Sequence, residues 1–157
     1  LSWKYKKFRD GKKILVCPPS DKVMKLFNQP SPEEWTQLVV DQLKQYTDRP
    51  IEIRLKPNRT QRIKDQSLEA ALEENVHCLI TYNSIAALEA LMVGKPAIAL
   101  GPNCASIVCN TNLAEVEKLH IPDKDEMTAL MAHLSYCQFS RQELMNGYAW
   151  NIVNEGS

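Results

Sequence analysis

The chain has 157 residues, enough for one domain with a sizeable core, and 44% of them are hydrophobic. Its 19 basic and 19 acidic residues cancel, so no bulk field draws it to nucleic acid or to a membrane surface. No apolar run is long enough to span a bilayer and no signal peptide is visible, while the five cysteines are odd in number and lack C-x-x-C spacing, which argues against a disulfide framework and fits a reducing cytosol.

The chain opens at Leu1 without a methionine, which points to a piece of a longer protein. Residues 1–12 form a basic lead-in in which Trp3, Tyr5 and Phe8 stand among lysines. Such a pattern can bind single strands of nucleic acid. A solvated segment whose aromatics pack on the domain or on a missing neighbour is the favoured reading. Residues 13–157 read as one domain.

Ile14 to Cys17 is the first core strand, closed by Pro18-Pro19-Ser20-Asp21. Lys22 to Phe27 is short enough for a helical turn. Ser31-Pro32-Glu33-Glu34 predicts a helix start, with Ser31 as N-cap and Glu34 completing a capping box. Trp35, Leu38, Val39, Leu43 and Tyr46 mark one helical face. Arg49-Pro50 breaks it.

Ile51 to Leu55 alternates as a strand and runs into Lys56-Pro57-Asn58-Arg59. Leu68, Ala71 and Leu72 predict a short helix. Val76 to Thr81 is a buried strand, Ser84 to Val93 an almost wholly apolar helix, and Ala97 to Leu100 another buried strand. Gly94 is the expected left-handed stop, and Pro96 forbids continuation. Such a helix is expected to be sandwiched, and its one charge, Glu89, needs a partner such as Lys95 or access to a cleft. Residues 102–119 have no clear period. Asp123 opens a helix through Leu134, and Ser140 to Glu143 is a capping box for a terminal helix bent near Gly147.

This order predicts an α/β fold: a three-layer, doubly wound, mostly parallel sheet with C-terminal helices. Ligands of such folds sit beyond the carboxyl ends of the strands. That rule gathers Ser20, Lys56, Asn58, Arg59, Tyr82, Asn83, Ser84 and Gly101 onto one rim. A helix opening at Ser84 offers free N–H groups to an anion, most plausibly a phosphate. Arg54, Lys56 and Arg59 add cations at the neighbouring strand. Glu89 is placed to accept hydrogen bonds from a ribose. Each feature alone is as well explained by a helix cap, a solvated charge or a buried ion pair; their convergence carries the reading. No G-x-G-x-x-G, Walker or G-x-S-x-G sequence occurs, which disfavours nicotinamide, P-loop and serine-hydrolase chemistry. His77, His120 and His133 do not cluster, and Cys104 and Cys109 lack further ligands at metal spacing.

Asn83-Ser84, Glu89-Ala90-Leu91, Gly94-Lys95-Pro96 and Gly101 together resemble the donor-binding half of GT-B glycosyltransferases. The nearest likeness is to bacterial capsule-polysaccharide transferases of the Kdo-transferase and polysialyltransferase-like group. Ile14 to Ser20 and Tyr136 to Trp150 extend the resemblance over most of the chain. The group's lysine finds a match in Lys56; the histidine of its His-Pro pair is absent, with Asn58 nearest that position. The resemblance implies a Rossmann-like half of a GT-B fold binding a nucleotide-sugar donor. Ser20, Lys56, Asn58, Arg59, Tyr82, Asn83, Ser84, Glu89 and Gly101 would form the donor site, with Gly101 leaving room for close approach of the ligand. It implies no cofactor and no metal, a cytoplasmic location, and a catalytic base on an amino-terminal acceptor domain that this chain lacks. That domain or a second copy is the implied partner; nucleic acid is not. A non-catalytic binding or scaffolding module of the same fold, a sugar-nucleotide epimerase relative and a nucleic-acid-modifying glycosyltransferase are the competing readings.

Overall fold

The computed structural model describes residues 3–56, 67–138 and 141–155. Strands β1 (Lys13–Cys17), β2 (Ile51–Ile53), β3 (Val76–Thr81) and β4 (Ala97–Ala99) form one sheet of four parallel strands in the order β2-β1-β3-β4. Helices α1 (Asp21–Leu26) and α2 (Pro32–Tyr46) connect β1 to β2. Helix α3 (Leu68–Glu73) precedes β3, and α4 (Ala86–Met92) joins β3 to β4. A 3-10 turn (Leu113–Glu115), α5 (Lys124–Tyr136), α6 (Arg141–Met145) and α7 (Tyr148–Glu155) complete the described chain. The protein is thus α/β with an all-parallel sheet, compatible with a Rossmann-like fold.

Strands β1, β3 and β4 are buried along almost their whole length, which explains their continuous apolar runs. Successive strand residues point to opposite faces and enter different apolar clusters. Leu15, Cys17, Leu79, Ala97 and Ala99 pack with Leu72 of α3, Leu91 of α4, and Met127 and Leu130 of α5. Ile14, Val16, Cys78, Ile80 and Ile98 pack with Met24 of α1 and with Trp35, Val39 and Leu43 of α2. The expected capping box of α2 forms: the Ser31 side chain accepts from the Glu34 amide, and the Glu34 carboxylate from the Ser31 amide. Asp123 and Glu126 build the same device at α5.

Three expectations are corrected. Strand β2 ends at Ile53 rather than Leu55, and Ile53 and Leu55 are 49% and 73% exposed. Of its apolar residues only Ile51 packs against the core, on the cluster that includes α2; Ile53 and Leu55 stay open to solvent among the described residues. Helix α4 begins at Ala86, after a turn through Ile85, and is not enclosed all round: Glu89 and Ile85 are exposed. The terminal helix is broken into α6 and α7 at Gly147, whose φ is +77°. The predicted cap residue Ser140 lies outside the described residues.

The lead-in packs on the domain, with Trp3, Tyr5 and Phe8 against the cluster that α3 and α4 complete. Its lower end is fastened beside Gly94 and Lys95. Arg9 donates its amide to the Gly94 carbonyl at 3.1 Å and its guanidinium to both Glu73 oxygens at 2.6 and 2.8 Å. Lys95 is buried, and its ammonium donates to the carbonyls of Val76, Arg9 and Asp10 at 2.9, 3.2 and 3.3 Å. Burial, then the nearby Arg9 charge, holds the Lys95 pKa below its usual value. Lys95 therefore serves backbone carbonyls at the amino end of the sheet and does not pair with Glu89. Gly94 has φ +80°, and a Cβ there would lie 2.6 Å from the Lys7 carbonyl oxygen. Among the described residues no helix is long and apolar enough to cross a membrane.

Candidate functional site

The path through the sheet reverses between β1 and β3: the chain steps outward to β2, then returns past β1 to β3. In parallel sheets this reversal leaves a crevice beyond the carboxyl ends of the two central strands. Here those ends are Cys17 and Thr81, paired in register. The buried Thr81 hydroxyl donates to the Cys17 carbonyl at 3.2 Å and so ties the two strand ends together. Burial pushes the Cys17 thiol up to about 12; Arg54's charge lowers it somewhat and Glu89's raises it. Cys17 is consequently a neutral thiol at physiological pH, a wall rather than a nucleophile.

The loops leaving the strands hold most of the expected site. Ser20 follows β1 as the N-cap of α1, its hydroxyl oxygen accepting from the Val23 amide at 3.4 Å. The Arg54 amide extends the β1–β2 pairing by donating to Val16 O at 2.8 Å, and Lys56 lies exposed just beyond. Lys56 has no hydrogen-bond or ion-pair partner among the described residues. Asn58 and Arg59 lie outside the described residues.

Tyr82, Asn83 and Ser84 form the turn after β3. The Ser84 hydroxyl oxygen accepts from the Ala86 amide at 3.2 Å, so it caps the helix from one position earlier than a regular N-cap. The Asn83 side chain is half-buried and unpartnered among the described residues. The turn is braced from the β4 side by a residue the sequence did not flag: Asn103 donates its amide group to the Ser84 carbonyl at 2.9 Å. Nothing in the sequence around Asn103 marks that contact, which exists only because β4 lies next to β3.

Gly101 and Tyr82 meet differently from expectation. The Gly101 amide donates to the Tyr82 carbonyl at 2.8 Å. A Cβ on Gly101 would stand 2.6 Å from the Tyr82 ring, so the ring, not a ligand, takes the space the glycine leaves. Tyr82 is itself buried, edge-on to Phe27 and Trp35 with ring centroids 5.8 and 6.5 Å away. Its ring is a packing element of the rim.

Glu89 sits one turn into α4, exposed and without a hydrogen-bond partner among the described residues. Its charge is felt at Cys17, at the carboxyl end of β1, and it also lines a cavity beneath the lead-in. The histidines stand elsewhere. His77 meets the Val116 carbonyl at 2.8 Å, His120 pairs with Glu126 at 2.9 Å, and His133 lies 3.7 Å from the Cys137 sulfur. Among the described residues no group of three or more His, Cys, Asp or Glu side chains is arranged to hold a metal ion.

The rim is thus a polar turn (Asn83–Ser84) at one central strand and cationic residues (Arg54, Lys56) one strand beyond the other. That arrangement suits an anionic ligand carrying hydroxyl groups. Comparison with known protein families, with curated proteins and with solved structures finds no match to this chain.

Proposed function

We propose that the chain is the nucleotide-sugar-binding domain of a GT-B-like glycosyltransferase for capsule-type polysaccharide, working in the cytoplasm. The observation that carries the reading is the strand order β2-β1-β3-β4, whose reversal between β1 and β3 is where ligands of such sheets bind, beside the loops that hold Asn83–Ser84 and Arg54–Lys56. The division of core residues between two clusters, each with its own helices, supports a three-layer, doubly wound arrangement. In this reading Ser84, Asn83 and Lys56 hold the donor phosphate. Glu89 accepts from a ribose hydroxyl. Ser20 lines the approach, Asn58 and Arg59 remain donor-binding residues of the resemblance alone, and Tyr82 with Gly101 keeps the turn in place. Transfer proceeds by direct displacement at the anomeric carbon, with no metal held by this chain, and the base comes from an acceptor-side domain.

Titration with CMP, UDP, GDP and their sugars, followed by melting temperature and amide shifts, tests the assignment. Ser84→Ala and Lys56→Ala are each expected to weaken the preferred nucleotide by about tenfold. Unchanged affinity in both variants overturns it.

A specific observation favours a second reading, a binding module without catalysis. Among the described loop residues that follow the strands, none is a carboxylate or histidine free to act as a base: Asp21 is engaged by Lys25 at 2.6 Å. Incubation with sugar donors separates the two readings. A module binds the donor and leaves it intact even when acceptor and amino-terminal domain are supplied.

A further inference from the structure

Helices α6 and α7 pack on each other and meet at one peptide, Asn146–Gly147. The Asn146 amide closes α6 by donating to the Gln142 carbonyl at 3.0 Å, and the Gly147 carbonyl opens α7 by accepting from the Asn151 amide at 3.1 Å. Asparagine followed by glycine occurs once in the chain, although ten asparagines are present. Glycine is the successor that obstructs least, since it has no Cβ to screen its nitrogen from the asparagine side chain. Asn146 is exposed, and a Cβ at Gly147 would find nothing within 4 Å.

Three features suit this pair to react with itself. The Gly147 amide donates to no acceptor among the described residues, so its nitrogen is not held away from the side chain. Asn146 Oδ1 accepts from the Tyr148 amide at 3.0 Å. That donor stands where the oxygen gathers negative charge on attack at Cγ, and a placed donor stabilises such an oxyanion. Gly147 has φ +77° and keeps the freedom of glycine to turn its nitrogen toward the asparagine. The Asp10–Gly11 pair has related chemistry and the opposite surroundings. A Cβ at Gly11 would collide with the Val76 carbonyl, and the carbonyls of Asp10 and Gly11 are held by Lys95 and Arg49 at 3.3 and 3.0 Å.

We propose that Asn146 is a self-modifying site, at which the folded protein loses ammonia and lengthens the joint between α6 and α7. The Gly147 nitrogen gives its proton to hydroxide and attacks Asn146 Cγ, and the C=O electron pair moves onto Oδ1. The pair returns, the Cγ–Nδ2 bond breaks, and Nδ2 takes a proton from water and leaves as ammonia. Water then opens the five-membered imide. Opening at Cγ gives aspartate; opening at the main-chain carbonyl gives isoaspartate, whose backbone runs through the former side chain. The sum is one water consumed and one ammonia released, with no oxidant and no cofactor. Aspartate keeps an acceptor for the Tyr148 amide and sets its charge near a helix amino end, where it is favourable. Isoaspartate instead adds a methylene to the backbone at the joint. Leu144 and Met145 before the joint and Tyr148 and Trp150 after it are all exposed, so the modification changes how the two helices present them.

The full chain is incubated at neutral and at mildly alkaline pH, and peptide mapping reads amide loss at each asparagine. Isoaspartate is told from aspartate by labelling with an isoaspartyl methyltransferase. Amide loss is expected to be severalfold faster at Asn146 than at any other asparagine, to quicken as pH rises, and to yield isoaspartate and aspartate together. Asn146→Ser, which keeps a side-chain oxygen for the Tyr148 amide, is expected to remove the fast phase of ammonia release. In the 15N-labelled protein the Trp150 indole is expected to gain a second position as isoaspartate accumulates and to keep the parent position in Asn146→Asp. The proposal is overturned if Asn146 stays intact or another asparagine converts first, if Asp10–Gly11 isomerises as fast as Asn146 reacts, or if the isoaspartate form leaves the Trp150 indole where it was.

Discussion

Gly101 lies so close to Tyr82 that a single methyl group at that position would stand 2.6 Å from the tyrosine ring. The ring cannot retreat, because Phe27 and Trp35 stand edge-on to it. Gly101→Ala is expected to cost about 1–3 kcal/mol as an overpacking change. Tyr82→Leu in the same chain should recover part of that loss. Urea unfolding of the two single variants and the double variant measures the coupling. A full loss retained in the double variant would place the strain elsewhere.

Lys95→Met keeps the length of the side chain and removes its charge and donors. The carbonyls of Val76, Arg9 and Asp10 then lose their partner together. The expected cost is about 2–3 kcal/mol. Protease cleavage within the lead-in should rise in the variant, since the segment is fastened there.

Glu117 carries a pH signature. The Arg49 guanidinium grips both its carboxylate oxygens at 2.8 and 3.0 Å, and the Thr47 hydroxyl adds a third bond, which holds its pKa down at about 2. A carboxylate whose folded pKa is depressed contributes stability above its unfolded value, and that contribution is lost as pH falls toward the folded value. The window runs from the ordinary 4.5 down to about 2. Because the pair is partly exposed, its contribution is about 1 kcal/mol after solvent screening. Glu117→Gln should lower stability by that amount at neutral pH and flatten the acid limb of the stability curve. Identical acid limbs in parent and variant would remove the assignment.

The thiols divide by burial. Cys17 and Cys78 are pushed up to about 12 and Cys109 to about 11, each chiefly by burial, whereas Cys104 and Cys137 are exposed. A thiol reagent at neutral pH should therefore modify Cys104 and Cys137 in the folded protein and the other three only after unfolding. Mass spectrometry of the digested adducts reads this directly. Rapid labelling of Cys17 would show that the carboxyl end of β1 opens to solvent.

The parts legible in the sequence are those fixed by short-range rules. Val76–Thr81 could be read to the residue because a buried parallel strand is a continuous apolar run bounded by Asn75 and Tyr82. The Ser31–Glu34 box was legible because its whole mechanism lies within four positions. What escaped depends on which strands become neighbours. Leu55 was misjudged because alternation does not say where pairing ends: β2 stops at Ile53, and Leu55 lies beyond it, exposed. Asn110 looked like loop; it makes a parallel bridge to Ile98, and its amide group is satisfied by the His120 backbone. Gly101 was read correctly as a position needing space, with the wrong occupant assigned to it. Trp3 was visible as an aromatic residue, but the lack of an acceptor for its Nε1 belongs to the packed structure alone.

The fastening at Lys95 also dictates an order of assembly. Its ammonium joins carbonyls of residues 86 and 85 positions earlier in the chain. During synthesis the lead-in emerges well before β4, and its carbonyls have no Lys95 partner until β4's leading residues leave the ribosome. The lead-in is thus secured only after the strands it precedes. Until then Trp3, Tyr5 and Phe8 are uncovered, and this stretch is where a nascent chain would be held by a chaperone.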